Sequence, residues 1–255
     1  MNRIDLLNGD CFELLKGIPD GSVDAVITDP PYSCLNKSNP HATWDKSFDM
    51  AAWWTEVWRV CKRNAVVVSF GQGLFSARLM LSQEKNYRYS LVWDKVLKNG
   101  FLNAKRMPLR QHEDVLVFYR QMPIYNPQMT KCEPHKRNHS KGNLLCRQRN
   151  RCYGSFVDTP TVVSDEKYPT SIISIPKQHV NGKSYHPTEK PVRLIEYLIR
   201  TYTNEGDVVL DPFMGSGSTM VACANTGRRG IGIELMREYY DIAVKRVNDA
   251  QSRLF

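Results

Sequence analysis

Two adjacent prolines close the most tightly constrained stretch of the chain. Residues 23–28 are mostly apolar, partly β-branched and bounded by turn formers, so they read as a short buried strand. The strand stops at Asp29-Pro30-Pro31-Tyr32. Each proline holds φ at about −65° and removes an N–H donor. The bend therefore presents carbonyl oxygens without competing donors, next to a carboxylate and an aromatic ring. Such a set suits a planar exocyclic amine. The Asp29 carboxylate and the Pro30 carbonyl can accept its two hydrogens while Tyr32 stacks on the ring. From these four residues alone a proline-rich surface turn reads as well, and the rest of the chain decides between the two.

Around this strand, apolar runs alternate with helical spacing. Ile4 to Asp10 reads as a strand, Cys11 to Ile18 as a short helix, and Asp49 to Lys62 as a helix with Trp54, Val57, Trp58 and Cys61 on one side. Its tryptophans read as core. Residues 65–70 form another apolar strand, and a Gly71-Gln72-Gly73 turn leads to a helix near Leu74 to Glu84. Tyr87 to Asp94 and Asp114 to Tyr119 read as two strands of an edge hairpin, joined by a connection bearing Lys95, Lys98, Lys105, Arg106 and Arg110. Trp93 stands either in the core or against a ligand ring. Strands alternating with helices predict a mainly parallel sheet covered on both faces. The polar stretch from Ser33 to Ser47 is expected to form a loop over the site.

Between 121 and 184 the periodicity weakens and prolines multiply. From Arg120 to Arg151 eight basic residues face one acid, Glu133. Lys131, Lys136, Arg137, Lys141, Arg147, Arg149 and Arg151 are the candidate contacts to a polyanion, with Tyr125, Tyr153 and Phe156 interleaved. The whole chain of 255 residues carries a formal charge of +9, which points the same way. Cys132, His135, His139, Cys146 and Cys152 show no standard zinc spacing, so no metal is expected. Seven scattered cysteines do not read as a disulfide framework. No apolar run is long enough to span a bilayer, and a cytoplasmic protein without membrane partners is expected.

Regular structure returns with a helix from Lys190 to Tyr202, a strand at 207–211, and the turn Pro212-Phe213-Met214-Gly215-Ser216-Gly217-Ser218-Thr219 feeding a helix. The next strand, Arg229 to Glu234, ends in an acid 23 residues after Asp211, and a last helix follows. This is a nucleoside-binding βαβ pattern, in which glycines admit a ligand to the backbone and the second acid can hold ribose hydroxyls. The third glycine of the dinucleotide fingerprint is missing. An adenosyl ligand without a pyrophosphate therefore fits better than NAD.

Taken in order, Asp29-Pro30-Pro31-Tyr32, His186-Pro187-Thr188-Glu189-Lys190-Pro191 and Asp211 through Thr219 resemble the motifs of the β-class DNA amino-methyltransferases. Asn8-Gly9-Asp10-Cys11 resembles the N-terminal stretch that serves the same pocket. The resemblance implies a Rossmann-like α/β fold, a circularly permuted seven-stranded methyltransferase sheet with one antiparallel strand. It divides the chain into a catalytic half at 1–120, a target-recognition insert at 121–184 and a cofactor-binding half at 185–255. It implies S-adenosyl-L-methionine as cofactor and double-stranded DNA as substrate. Asp29, Pro30, Pro31 and Tyr32 would be catalytic. Asp10, Cys11, Asp29, Thr188, Lys190, Asp211, Phe213, Gly215, Ser216, Gly217, Ser218, Thr219, Glu234 and Leu235 would surround the cofactor. Glu234 would take the ribose, Asp10 the adenine amine, and Thr188 with Lys190 the carboxylate. An acid at position 29 favours the N6 amine of adenine; the N4 amine of cytosine is the alternative, and an inactive nucleic-acid-binding domain a weaker one. A homodimer and a companion restriction endonuclease are left open.

Overall fold

The structure, a computed structural model, describes residues 3–34, 45, 47–137, 162–177 and 189–253. Apolar β-branched runs supply the centre of one sheet. Its strands are β1 (Ile4–Asn8), β2 (Val23–Thr28), β3 (Cys61–Gly71), β4 (Tyr87–Asn99), β5 (Arg110–Tyr119), β8 (Ile172–Ser174), β9 (Val208–Asp211) and β10 (Arg229–Glu234). They lie in the order β1-β10-β9-β2-β3-β5-β4-β8. All neighbours are parallel except at β5, which runs antiparallel to both β3 and β4. The single antiparallel strand agrees with the sequence reading. The count does not, because the three residues of β8 add an eighth strand beside β4.

The period of two along the strands sorts side chains into two cores. Val66, Val68, Phe70, Val115 and Val117 point to one face, where they meet α4 (Val192–Tyr202), α5 (Ser218–Thr226) and α6 (Arg237–Ser252). Val67, Leu116 and Phe118 point to the other, against α1 (Cys11–Leu15), α2 (Met50–Val60) and α3 (Leu74–Ser82). Trp54 and Val57 of α2 are buried there, as the helical spacing predicts; Trp58 is only half-buried, Cys61 already belongs to β3, and Trp53, which that spacing leaves out, is fully buried beside Trp54. α2 begins where Asp49 accepts from the amides of Ala51 and Ala52, and α1 where Asp10 accepts from Phe12.

Residues 127–170 form a separate compact unit. Within it β6 (Thr130–Arg137) pairs antiparallel with β7 (Val162–Lys167). The sequence pattern does not show this ribbon, since Lys131, Glu133 and Lys136 break any apolar alternation. No helix among the described residues is long and apolar enough to cross a membrane.

Chain direction explains where a ligand can sit. From β9 the chain moves outward to β10, and from β2 it moves the opposite way to β3. The C-terminal ends of β9 and β2 are therefore a topological switch point, where the connecting loops part and leave a crevice. Asp211 ends one strand and Asp29 follows the other.

One buried cation ties the two helices flanking this half of the sheet. Arg228 donates to the Thr226 carbonyl at the end of α5, and to the Thr203 carbonyl (2.7 Å) and hydroxyl (3.1 Å) just past α4. It neutralises the negative ends of both helices. Arg228→Met would leave those carbonyls unpaired in an apolar setting. A loss of about 2–4 kcal/mol in unfolding free energy is expected from urea titration.

Candidate active site

The crevice is a cavity of about 350 Å³. Of the residues singled out from sequence, Asp10, Cys11, Asp29, Pro30, Pro31, Tyr32, Lys190, Asp211, Phe213, Gly215, Ser216, Ser218, Thr219, Glu234 and Leu235 all line it. Gly217 does not. Its φ is +82°, and a Cβ there would stand 2.7 Å from the Ala243 Cβ, so this glycine serves the packing of the loop on α6. Thr188 lies outside the described residues, as does most of the loop expected over the site (35–44 and 46). Among the insert's cations, Lys131, Lys136 and Arg137 fall on β6 of the separate unit; Lys141, Arg147, Arg149 and Arg151 lie outside the described residues.

The floor is built on Asp211. Its Oδ1 accepts from the Thr28 hydroxyl (2.8 Å) and the Phe213 amide (3.1 Å), and its Oδ2 from the Thr219 hydroxyl (2.6 Å). This carboxylate joins β2, β9, the glycine turn and the start of α5. Burial pushes its pKa up to about 6, against the opposing pull of the Thr219 and Thr28 hydrogen bonds. Glu234, at the end of β10, accepts from the amides of Gly215 (3.0 Å) and Met236 (2.7 Å). Burial raises its pKa too, and those amides oppose the rise. Cys11 supplies an apolar wall, because burial pushes its thiol up to about 12.

A brace that sequence reasoning missed holds the glycine turn from below. Arg246 of α6 donates to the Ser216 carbonyl and hydroxyl (2.8 Å each) and pairs with Glu189 at 2.7 Å. The Ser218 hydroxyl reaches the same Glu189 oxygen at 3.3 Å. Ser216 and Ser218 thus act here through the backbone they fix.

The catalytic motif is held by charge. The Tyr32 hydroxyl donates to Asp29 Oδ1 (2.6 Å), and its ring stacks on Phe75 with centroids 4.7 Å apart. The next residue, Ser33, has φ +56°, and its amide is pinned by the buried Asp45 carboxylate at 2.7 Å. Lys190, only 7% exposed, pairs with Asp29 Oδ2 and stands 3.3 Å from Glu113 Oε2. Lys95 holds the other Glu113 oxygen at 3.0 Å. A chain of four charges thus runs Asp29–Lys190–Glu113–Lys95. The sequence reading gave Lys190, with Thr188, to a cofactor carboxylate; in the structure Lys190 lines the cavity and its ammonium stands between two protein carboxylates. Burial works against that ammonium, and Asp29 and Glu113 outweigh it, so its pKa is raised. For Asp29, burial and the Glu113 charge prevail over Lys190, and its pKa also rises. Trp93 is settled as core: it is 1% exposed and donates to the Ile175 carbonyl at 2.8 Å.

Residues 23–245 match the family described as DNA methylase. The chain is 27% identical to the type II methyltransferase M.HpaI of Haemophilus parainfluenzae, over 95% of this chain and 74% of that one. It is 30% identical to M.HinfI of Haemophilus influenzae, over 96% and 68% respectively. Among solved structures, the M1.HpyAVI complex with S-adenosylmethionine superposes with a TM-score of 0.63 at 26% identity, over 96% of this chain and 99% of that one. The cytosine-N4-specific PvuII DNA methyltransferase shares the fold at TM-score 0.67 and 17% identity, over 100% and 93%. The chain belongs to the DNA methylase family.

The raised pKa of Asp211 has a consequence for stability. Between pH 3.8 and about 6 the folded chain keeps a proton there that the unfolded chain has released. This contribution to stability is complete below that window and is lost as pH rises through it, by about 3 kcal/mol. Asp211→Asn keeps the shape and removes the titration. The fall in urea-unfolding free energy from pH 4 to 7 is expected to be smaller in the variant by about that amount; an equal fall in both proteins would refute it.

Proposed function

We propose that the chain transfers a methyl group from S-adenosylmethionine to the N6 amine of adenine in duplex DNA, by base flipping and direct in-line attack. The observation that carries this reading is that Asp29 and Pro30 line the same cavity as the Gly215 turn and Glu234. The cavity fits the cofactor. Phe213, Met214, Cys11 and Leu235 supply apolar walls, and Glu234 and Asp10 bring carboxylates to the rim for ribose hydroxyls and an adenine amine.

S-adenosylmethionine supplies a methyl group already activated on a sulfonium. The protein's task is then to position the amine and localise its lone pair. Accepting the two amine hydrogens at Asp29 and at the Pro30 carbonyl does both. Tyr32, backed by Phe75, presents the ring on which the base stacks. Both Asp29 oxygens are engaged in this structure, by Tyr32 and Lys190. A base entering the site displaces Lys190, and Glu113, already 3.3 Å from Nζ, receives it. Asp29 is thereby freed, and its raised pKa suits it to take the proton that the nitrogen sheds as the N–CH3 bond forms. A base can reach this depth only out of the helix. The cations of the 121–184 insert, Lys131 among them, supply phosphate contacts that position the duplex without reading its bases.

The acid at position 29 favours adenine. The shared fold with the cytosine-N4-specific PvuII enzyme gives the second reading, transfer to cytosine N4. Incubation with unmethylated duplex DNA, followed by nucleoside mass spectrometry, separates the two. N6-methyladenine is expected, with the rate reduced about 100-fold or more in Asp29→Ala. N4-methylcytosine would overturn the base assignment, and no product on DNA would overturn the function.

Glu113→Gln tests the hand-over of Lys190. Without the Glu113 charge Asp29 loses a neighbour that raises its pKa, and Lys190 loses its alternative partner. The acid limb of the kcat–pH profile is expected to move to lower pH while the plateau falls about tenfold. A lower plateau with an unmoved limb would assign Glu113 a structural role only.

A further inference from the structure

The β4–β5 turn carries an apolar tip that the catalytic chemistry does not use. Phe101 is 76% exposed and Leu102 85%, and both lie on a single 3-10 turn, residues Phe101–Asn103. Gly100 starts that turn with φ +90°. Leu97 and Met107 continue the exposed apolar surface on either side. Soluble proteins rarely expose contiguous apolar surface of this kind unless something binds it. The turn is also strained. Val96 has φ +63°, a conformation that a β-branched residue avoids, and Asp94 Oδ1 holds it there by accepting from the Val96 amide at 2.9 Å.

Charge identifies the partner. From Lys95 to His112 the chain has five lysines and arginines and no acid. Lys98, Lys105 and Arg106 flank the apolar tip and are exposed. Position identifies what the tip does. β4 ends at Asn99, four residues past Lys95, and β5 begins at Arg110, three residues before Glu113, so the turn springs from the strand ends that carry the charge chain. Arg110 donates to Gln72 just past β3 (2.9 Å) and lies within electrostatic reach of Cys34, which lines the cavity. The turn therefore rises beside the place where a target base enters.

We propose that this turn inserts Phe101 and Leu102 into the duplex next to the target base, filling the space the base vacates, while Lys98, Lys105 and Arg106 hold the flanking phosphates. The proposal rests on the reading of the chain as a duplex-DNA methyltransferase. Apolar side chains that wedge between base steps unstack them, and an extruded base leaves a gap that such a wedge prevents from reclosing. The separate 127–170 unit is not needed for this role.

The full-length chain is compared with a Phe101→Ser/Leu102→Ser double variant and a Lys105→Gln/Arg106→Gln double variant. The target site is first mapped by sequencing methylated plasmid DNA. Oligonucleotide duplexes are then made with the target base fully paired or facing an abasic position. The serine variant is expected to bind S-adenosylmethionine as the wild type does. On the paired duplex it should transfer methyl groups roughly tenfold more slowly or worse, and it should recover on the abasic duplex, where the base is already free. The glutamine variant should lose affinity equally on both duplexes and reduce the salt slope by about 2. Wild-type rates for the serine variant on the paired duplex, or an equal loss on both duplexes, would overturn the wedge. So would a wild-type dimer that the serine substitutions convert to a monomer in light scattering, because the tip would then be a contact between copies. Failure of the wild type to methylate any DNA would overturn the parent reading, and the wedge with it.

Discussion

A single buried carboxylate makes the site possible. Asp211 accepts three hydrogen bonds from three different segments, and each fixes something the chemistry needs. Thr28 fixes the end of β2, and so the start of the Asp29-Pro30-Pro31-Tyr32 bend. The Phe213 amide fixes the first residues of the turn, and Thr219 fixes the helix that follows it. Isolating a carboxylate from water is costly unless donors compensate, and the pKa of about 6 shows that the three donors compensate only in part. The remaining cost is the kind of strain that functional sites retain, because an apolar residue at 211 could not hold three separate loops in register.

The second organising force is electrostatic, and it works by balance. Asp29, Lys190, Glu113 and Lys95 alternate in sign, so none of these four charges, the two lysines buried and the two carboxylates half-buried, stands alone. Such an arrangement adds little net stability over apolar packing, yet removing one member strands its neighbours. Lys190 is drawn tight to Asp29 and stands 3.3 Å from Glu113, so a second carboxylate is within reach on its other side. Cation–ring contacts keep it in place from the sides: its Nζ lies 5.0 Å from the Phe70 centroid and 5.9 Å from that of Tyr32.

Much of the fold was legible because it rests on local signals. Residues 23–28 and 229–234 declare themselves as strands by composition, and the strand–turn–helix at Asp211 by its glycines. Proline stiffness marks the end of β2 without any knowledge of its neighbours. What stayed hidden depends on partners far along the chain. Glu113 sits in an ordinary strand sequence, and only the register that sets it opposite Trp93 brings it to Lys190, 77 residues away. Arg246 reads as a solvent-facing helix cation until α6 packs on the glycine turn. β8 is three residues whose strand conformation comes from pairing with Val92, Trp93 and Asp94 rather than from propensity. Gly217 carries a constraint of the same hidden kind: a glycine in a ligand-binding motif reads as room for a ligand, and only the packed structure shows that it also makes room for Ala243.

Charge is divided between two tasks that the sum of +9 conceals. Inside the site, cations and anions pair one to one along the Asp29–Lys95 chain. In the β4–β5 turn, and in the sequence from Arg120 to Arg151, cations gather with almost no acids beside them. The first arrangement leaves none of the four charges without an opposite neighbour. The second creates a field that a polyanion neutralises by releasing counterions. β4 and β5 carry both arrangements: Lys95 and Glu113 where they face Lys190, and the exposed cations of their own turn a few residues beyond. On the function proposed above, the same two strands would connect phosphate contacts to the chemistry of one base.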